Sequence, residues 1–123
     1  ERLKGDGLTY GKEILDELKE PLVDLRRRIP EVFEGYAAMS KAVYGNGALD
    51  AKTKELIALA IGVSKQCDGC IASHARAAAR RGATAEEVAE MLGVTIIMNG
   101  GPGTVHAPRA MAAFLEFAEP KTE

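Results

Sequence analysis

The sequence has neither a long apolar run nor a strong excess of one charge. No segment approaches the roughly 18 apolar residues that a membrane-spanning helix needs. The formal net charge is only −2, so no strong field draws nucleic acid or an anionic membrane surface toward the protein. We therefore expect a protein with neither a nucleic-acid partner nor a membrane partner.

Other common signals are missing as well. No signal-peptide pattern opens the sequence, and we expect a cytoplasmic protein. There is no internal repeat or linker, and no alternating apolar pattern bounded by turns indicates a strand. The 123 residues suffice for one domain with a modest core. The sequence therefore predicts a single domain over residues 1–123.

What is present is helical periodicity. Apolar residues recur about once per helical turn throughout the chain. The pattern predicts helices near residues 14–25, 30–43, 51–65, 67–81 and 84–99, and one after the glycine-rich break at 100–103. The β-branched run Val94–Ile97 is the one place for a strand, but it lies in a helical pattern that starts with a capping box at Thr84–Glu87. The sequence predicts an all-α fold, with Pro21 marking a kink or a new start in the first helix.

Two of these helices carry more apolar residues than a small bundle needs. The helix near 51–65 is apolar on every side over Leu56–Ile61. A helix with this pattern is buried in the middle of a domain or an assembly. The helix near 84–99 has a similar excess. We therefore expect part of this apolar surface to lie between subunits of a homo-oligomer.

Chemistry is concentrated in one short segment. Cys67 and Cys70 are the only cysteines, at the spacing CxxC, and His74 follows four residues later. The thiolate is the reactive form of cysteine, and the first turn of a helix favours negative charge. His74 lies one turn from Cys70 and can accept its proton.

A carboxylate joins this group if two helices pair. An antiparallel hairpin turning near Gln66 places Glu55 about 16 Å and His74 about 12 Å from the turn. Glu55 can then orient the imidazole directly or through one water. The sequence thus predicts a relay from Glu55 through His74 to Cys70, with Cys67 as the second thiol. Alternatively, Glu55 only satisfies the N-terminus of its own helix.

Three interpretations of the cysteine pair compete. A thioredoxin-like module needs a βαβ context that the helical pattern does not offer. A zinc site needs four ligands, and Cys67, Cys70 and His74 would require Glu55 or His106 as the fourth. His106 is otherwise interpreted as a structural residue opening the last helix. The remaining interpretation, a redox dithiol, requires neither a metal nor a cofactor.

At these residues the sequence resembles the alkylhydroperoxidase D-like branch of the carboxymuconolactone decarboxylase family. That branch carries a glutamate, CxxC twelve residues later, and a histidine four residues after the second cysteine. Glu55, Cys67, Cys70 and His74 keep this spacing without a gap, and the resemblance covers about residues 25–118.

The resemblance implies an orthogonal bundle of about six helices that assembles as trimers or hexamers. It also implies peroxide reduction by the dithiol, with a partner protein re-reducing the oxidised pair. Members that decarboxylate a lactone lack the cysteine pair. The sequence departs from the best-studied members at Gly69, where they carry a second histidine.

The sequence therefore predicts an antioxidant thiol peroxidase or disulfide reductase with Cys67, Cys70, His74 and Glu55 as catalytic residues. Which cysteine attacks first is open, because the helix start favours Cys67 and the histidine favours Cys70. Two alternatives are a non-redox helical oligomer with a metal-binding or structural CxxC and a lactone decarboxylase-like enzyme. The sequence does not name the peroxide or the electron donor.

Overall fold

The computed structural model describes residues 9–118. Over this range the chain forms six α-helices and no strand, which confirms the all-α prediction. The helices are α1 Lys12–Arg28, α2 Pro30–Tyr44, α3 Ala51–Ser64, α4 Asp68–Arg80, α5 Ala85–Asn99 and α6 Gly101–Ala118. None of these six helices has the length and apolar character that a bilayer span requires. The run Val94–Ile97 lies inside α5, so its helical interpretation is also confirmed.

Local side-chain caps define where α3 and α5 begin. The Asp50 carboxylate accepts the backbone N–H of Thr53 at 2.8 Å. At α5 both hydrogen bonds of the predicted capping box are present, each of 3.0 Å between Thr84 and Glu87. Such caps satisfy backbone donors that have no partner within the helix.

A tight turn joins α3 to α4. Gln66 adopts a positive φ of 57°, which few residues other than glycine adopt. The N–H of Cys67 then donates to the carbonyl of Gly62 at 3.1 Å. A Cβ at Gly62 would lie only 3.3 Å from the Cβ of Cys70, so the glycine lets the CxxC segment pack against the end of α3.

The core lies among α3, α4, α5 and α6. Its largest fully buried side chains are Phe114, Leu59, Ile71, Val63 and Val88. Burying a side chain of this size stabilises the fold by about 1.5–3 kcal/mol. Alanines fill the remaining contact surfaces of α4 and α6, which lets these two helices approach closely. This four-helix core carries the CxxC segment at one end of α4.

The first two helices lie outside this core, and we call them the α1–α2 arm (residues 12–44). Neither helix contains a buried residue. Pro21 lies within α1 without ending it, so the predicted alternative of a new helix start is wrong, while a kink at this residue stays a prediction. Large apolar side chains remain exposed along the arm: Leu18, Leu22, Leu25, Ile29, Val32, Tyr36, Met39 and Val43.

The glycine-rich break is shorter than the sequence predicts. Only Gly100 separates α5 from α6, with a φ of 71°. The helix resumes at Gly101 because a proline in its first turn, Pro102, loses no intrahelical hydrogen bond. Gly103 is buried, and a Cβ there would meet the carbonyl oxygen of Thr95 at 3.0 Å. As a consequence His106 lies inside α6 and does not open it.

Candidate active site

The two cysteines form a disulfide at the start of α4. Their sulfur atoms are 2.10 Å apart, and both residues are half-buried. Cys67 is the N-cap of the helix, and its Sγ accepts the backbone N–H of Cys70 at 3.2 Å. The pair therefore lies where unpaired N–H groups and the helix dipole favour a thiolate once the bond is reduced.

Glu55 and His74 are in direct contact. Nδ1 of His74 lies 2.8 Å from Oε1 of Glu55, and only 8% of the Glu55 side chain is exposed, against 25% for His74. When the carboxylate is ionised it can only accept, and Nδ1 then carries the hydrogen and donates it. Nε2 is then the nitrogen that can exchange a proton with a thiol. The contact expected from a helical hairpin is thus present.

Glu55 is not a cap of its own helix. The start of α3 is capped by other groups, since Asp50 accepts from Thr53 and the Asn46 side-chain oxygen accepts the N–H of Ala51 at 2.7 Å. Glu55 lies in the next turn and is bonded to His74. Its burial therefore serves the histidine pair and not the helix terminus.

Tyr44 is a neighbour of this pair that the sequence does not reveal. Its ring centroid lies 5.8 Å from that of His74, at an interplanar angle of 36°. Burial raises the pKa of the Tyr44 hydroxyl above its ordinary value, and the charge of Glu55 raises it further. Tyr44 therefore stays neutral beside the Glu55–His74 pair. Tyr44 shares the face of α2 that carries Phe33 and Ser40, but helical periodicity does not show that this face meets His74.

Gly69 lies directly beneath α1. A Cβ at this position would approach Cδ1 of Leu18 to 3.2 Å. The α1–α2 arm therefore occupies the space beside the CxxC turn. A larger residue at position 69 requires the Leu18 side chain to move.

His106 does not join the cysteines. It is half-buried in α6, and among the described residues its buried Nδ1 has no hydrogen-bond partner. Arg109, one turn further along α6, does reach the motif, with a guanidinium nitrogen 3.7 Å from Asp68. Within residues 9–118, no group of three or more histidine, cysteine or acidic side chains is arranged to hold a metal ion.

A protein-family model matches most of the chain. The family described as the carboxymuconolactone decarboxylase family matches residues 30–115, which begins at the first residue of α2 and leaves α1 outside. An uncharacterized protein from Cupriavidus necator is 38% identical over 105 residues, covering 80% of this chain and 93% of that protein. One encoded in the cox locus of Paracoccus denitrificans is 41% identical over 83 residues, covering 68% and 75%.

Solved structures share the fold. An apo carboxymuconolactone decarboxylase family protein from Legionella pneumophila is 41% identical, with a TM-score of 0.83 over 87% of this chain and 96% of its own. A member of the same family from Thermotoga maritima is 31% identical, with a TM-score of 0.65 over 81% and 92%. An involvement in the antioxidative response has been suggested for that protein.

Proposed function

This chain belongs to the carboxymuconolactone decarboxylase family, and we propose that it acts there as a thiol-dependent peroxidase or disulfide reductase of the alkylhydroperoxidase D-like branch. One observation carries the proposal: a half-buried cysteine pair shares α4 with a histidine that is bonded to a buried carboxylate. A nucleophile, a base and a group that orients the base are the usual elements of thiol activation. The suggested antioxidative role of the Thermotoga maritima relative supports the same chemistry.

The reaction begins with the reduced pair. One thiolate attacks an oxygen of a hydroperoxide, so an S–O bond forms as the O–O bond breaks, leaving a sulfenic acid and an alkoxide. The second thiol then attacks the sulfenic sulfur and expels water. Overall, ROOH and two thiols give ROH, water and the Cys67–Cys70 disulfide.

The Glu55–His74 pair manages the protons in this scheme. His74 accepts the proton of the attacking thiol and returns it to the alkoxide as ROH forms. Glu55 holds the ring through Nδ1 and stabilises the imidazolium while it exists. A partner dithiol closes the cycle: its two thiols reduce the Cys67–Cys70 disulfide and are themselves joined as a disulfide.

We also propose that the protein works as a homo-oligomer, a trimer or a hexamer. Exposed apolar side chains lie along the α1–α2 arm and in a groove between α3 and α5 that includes Ile57, Ile61, Val94 and Met98. Clusters of exposed apolar residues are typical of protein interfaces.

The decisive experiment measures intact mass. The protein is reduced, freed of reductant and treated with a small excess of an organic hydroperoxide such as cumene hydroperoxide. We expect a prompt loss of two hydrogens that is absent in Cys67→Ser and in Cys70→Ser. An unchanged mass with thiols that resist alkylation contradicts the proposal, and about one zinc per chain by elemental analysis would then indicate a metal site. A lactone decarboxylase activity that survives the double Cys→Ser change would also contradict it.

A further inference from the structure

A cavity of about 300 Å³ opens beside the Glu55–His74 pair. Its walls are formed by Glu55, Ser73, Arg76, Ala77, Arg80 and Arg81. Glu55 belongs to both the cavity and the relay, since its Oε1 is the atom bonded to His74. The cavity therefore lies next to the group that orients the proposed catalytic histidine.

Three guanidinium groups surround this small space. Arg76 and Arg80 lie four residues apart on α4, and Arg81 follows directly. Within residues 9–118, none of the three makes an ion pair with an acidic side chain. Like charges at this spacing on a helix destabilise it. A favourable interaction with the C-terminal end of the helix dipole accounts for Arg80 and Arg81, but Arg76 lies a full turn earlier.

The nearby acidic groups do not neutralise this cluster. In the part of the chain that the structure describes, Glu55 is the one acidic residue in the cavity wall, so it offsets at most one of the three arginine charges. A neighbouring cavity of about 410 Å³ shares Arg80 and Arg81 and includes Asp50 and Lys52. Asp50 accepts the backbone N–H of Thr53 at the start of α3. The Lys52 ammonium forms an ion pair with Glu87 of α5 at 2.9 Å. An excess of positive charge thus remains at the cavity wall.

We propose that this cavity binds the carboxylate of a substrate of the dithiol, so that the protein prefers organic hydroperoxides that carry a carboxylate. This inference rests on the function proposed above. A guanidinium group matches a carboxylate with two parallel hydrogen bonds. A cavity of this volume admits a carboxylate with a short alkyl chain, within the usual range for small-molecule sites.

The position of the cavity sets the size of the substrate. Along the axis of α4, Arg76 lies about 9 Å from Cys70 and Arg80 about 15 Å, at 1.5 Å per residue. Ser73 and His74 lie between the cysteine and these arginines. When the arginines hold the carboxylate of a substrate, its hydroperoxide group reaches the thiols only if a chain of medium length separates the hydroperoxide from the carboxylate.

The first test measures binding and needs no turnover. Octanoate and its neutral analogue octanamide are titrated into the reduced protein by calorimetry. We expect octanoate to bind more tightly, and the Arg76→Gln/Arg80→Gln double variant to lose roughly tenfold or more in octanoate affinity. Arg27→Gln, which removes a cation from the last turn of α1, is the matched control and should bind as the wild type does. Equal binding of both compounds, or equal affinity in all three proteins, overturns the inference.

The second test measures selectivity in the reaction. Oxidation of the reduced pair is followed with a medium-chain fatty-acid hydroperoxide and with its methyl ester. We expect the acid to react faster in the wild type, and the arginine double variant to slow the acid roughly tenfold while leaving the ester rate unchanged. Equal slowing of both compounds overturns the subsite. If neither compound oxidises the pair, the peroxidase proposal fails, and the octanoate titration still decides whether the cavity binds carboxylates.

Discussion

At the scale of single residues, the Glu55 carboxylate is the group whose environment demands most explanation. It is almost fully removed from solvent, and its bonded partner is the imidazole of His74. Removing His74 would leave the buried carboxylate without its hydrogen-bond partner, which costs stability. Such a pair is therefore kept where its geometry serves a purpose, and here the purpose we propose is to activate a thiol.

The relay predicts a loss of thiol reactivity in two variants. In the reduced protein, His74→Ala removes the base, and Glu55→Gln removes the charge that stabilises the imidazolium. Both lower the thiolate fraction at neutral pH. We expect the rate of alkylation by iodoacetamide at pH 7 to fall roughly a hundredfold, the lower end of general-base contributions. Wild-type rates in both variants would show that the relay does not act on the cysteines.

A matched control separates this effect from a general loss of negative charge. Glu90→Gln makes the same chemical change at an exposed position on α5 and should leave the alkylation rate unchanged. Circular dichroism of all three variants checks that the helices are intact. A slow rate in Glu90→Gln as well would contradict a specific role for Glu55.

At the scale of helices, the starts of α3 and α5 are tied together. The Lys52 ammonium lies 2.9 Å from the Glu87 carboxylate. The Thr84 backbone N–H and the Lys52 ammonium both hold the pKa of Glu87 below its ordinary value, and Glu87 raises the pKa of Lys52. The same glutamate closes the capping box of α5. One side chain thus joins the local start of a helix to the helix that carries Glu55.

Thr84→Ala tests the contribution of this cap. The change removes the hydroxyl that accepts the N–H of Glu87, so one backbone donor at the start of α5 loses its partner. We expect the free energy of unfolding to fall by about 1 kcal/mol, measured by urea denaturation. Thr84→Ser keeps the hydroxyl acceptor, so its free energy of unfolding should fall by much less. Equal stability of the alanine and serine variants would show that the cap does not stabilise α5.

At the scale of the whole molecule, the α1–α2 arm contributes little to the core of its own chain. Val32, Tyr36 and Met39 of α2 are each about 60% exposed. Ile97 of α5 is 81% exposed and Met98 77%. A soluble monomer rarely leaves apolar surfaces of this extent uncovered. Met91 and Met111 pack against the core, whereas Met39 and Met98 are exposed.

The proposed assembly predicts a mass in solution of three or six times the 13.1 kDa of one chain, by light scattering coupled to size exclusion. Ile97→Lys places a charge in the exposed apolar surface and should lower the mass, because burying an unpaired charge at an interface is costly. Thr104→Lys adds the same charge at an exposed position on α6 and should keep the wild-type mass. A wild-type mass of one chain would contradict the assembly.

The sequence by itself determined most of the helices and the chemical identity of the site. Periodic apolar residues, the capping box at Thr84 and the CxxC spacing act within a few residues of one another, so local rules suffice to recognise them. The distances of Glu55 and His74 from the turn near Gln66 also predicted that the two residues lie at nearly the same height along the paired helices. Local rules failed at the start of α6, where Pro102 is compatible with the first turn of the helix.

Only the tertiary structure decided which distant residues meet. Tyr44 beside His74, Leu18 above Gly69 and the arginine cavity beside Glu55 join segments whose contacts depend on how helices pack. The exposed α1–α2 arm likewise could not be recognised, because its apolar stripe has the same pattern as that of a buried helix. The reason is physical: periodicity shows that a face is apolar, whereas close packing against a particular neighbour decides what covers it.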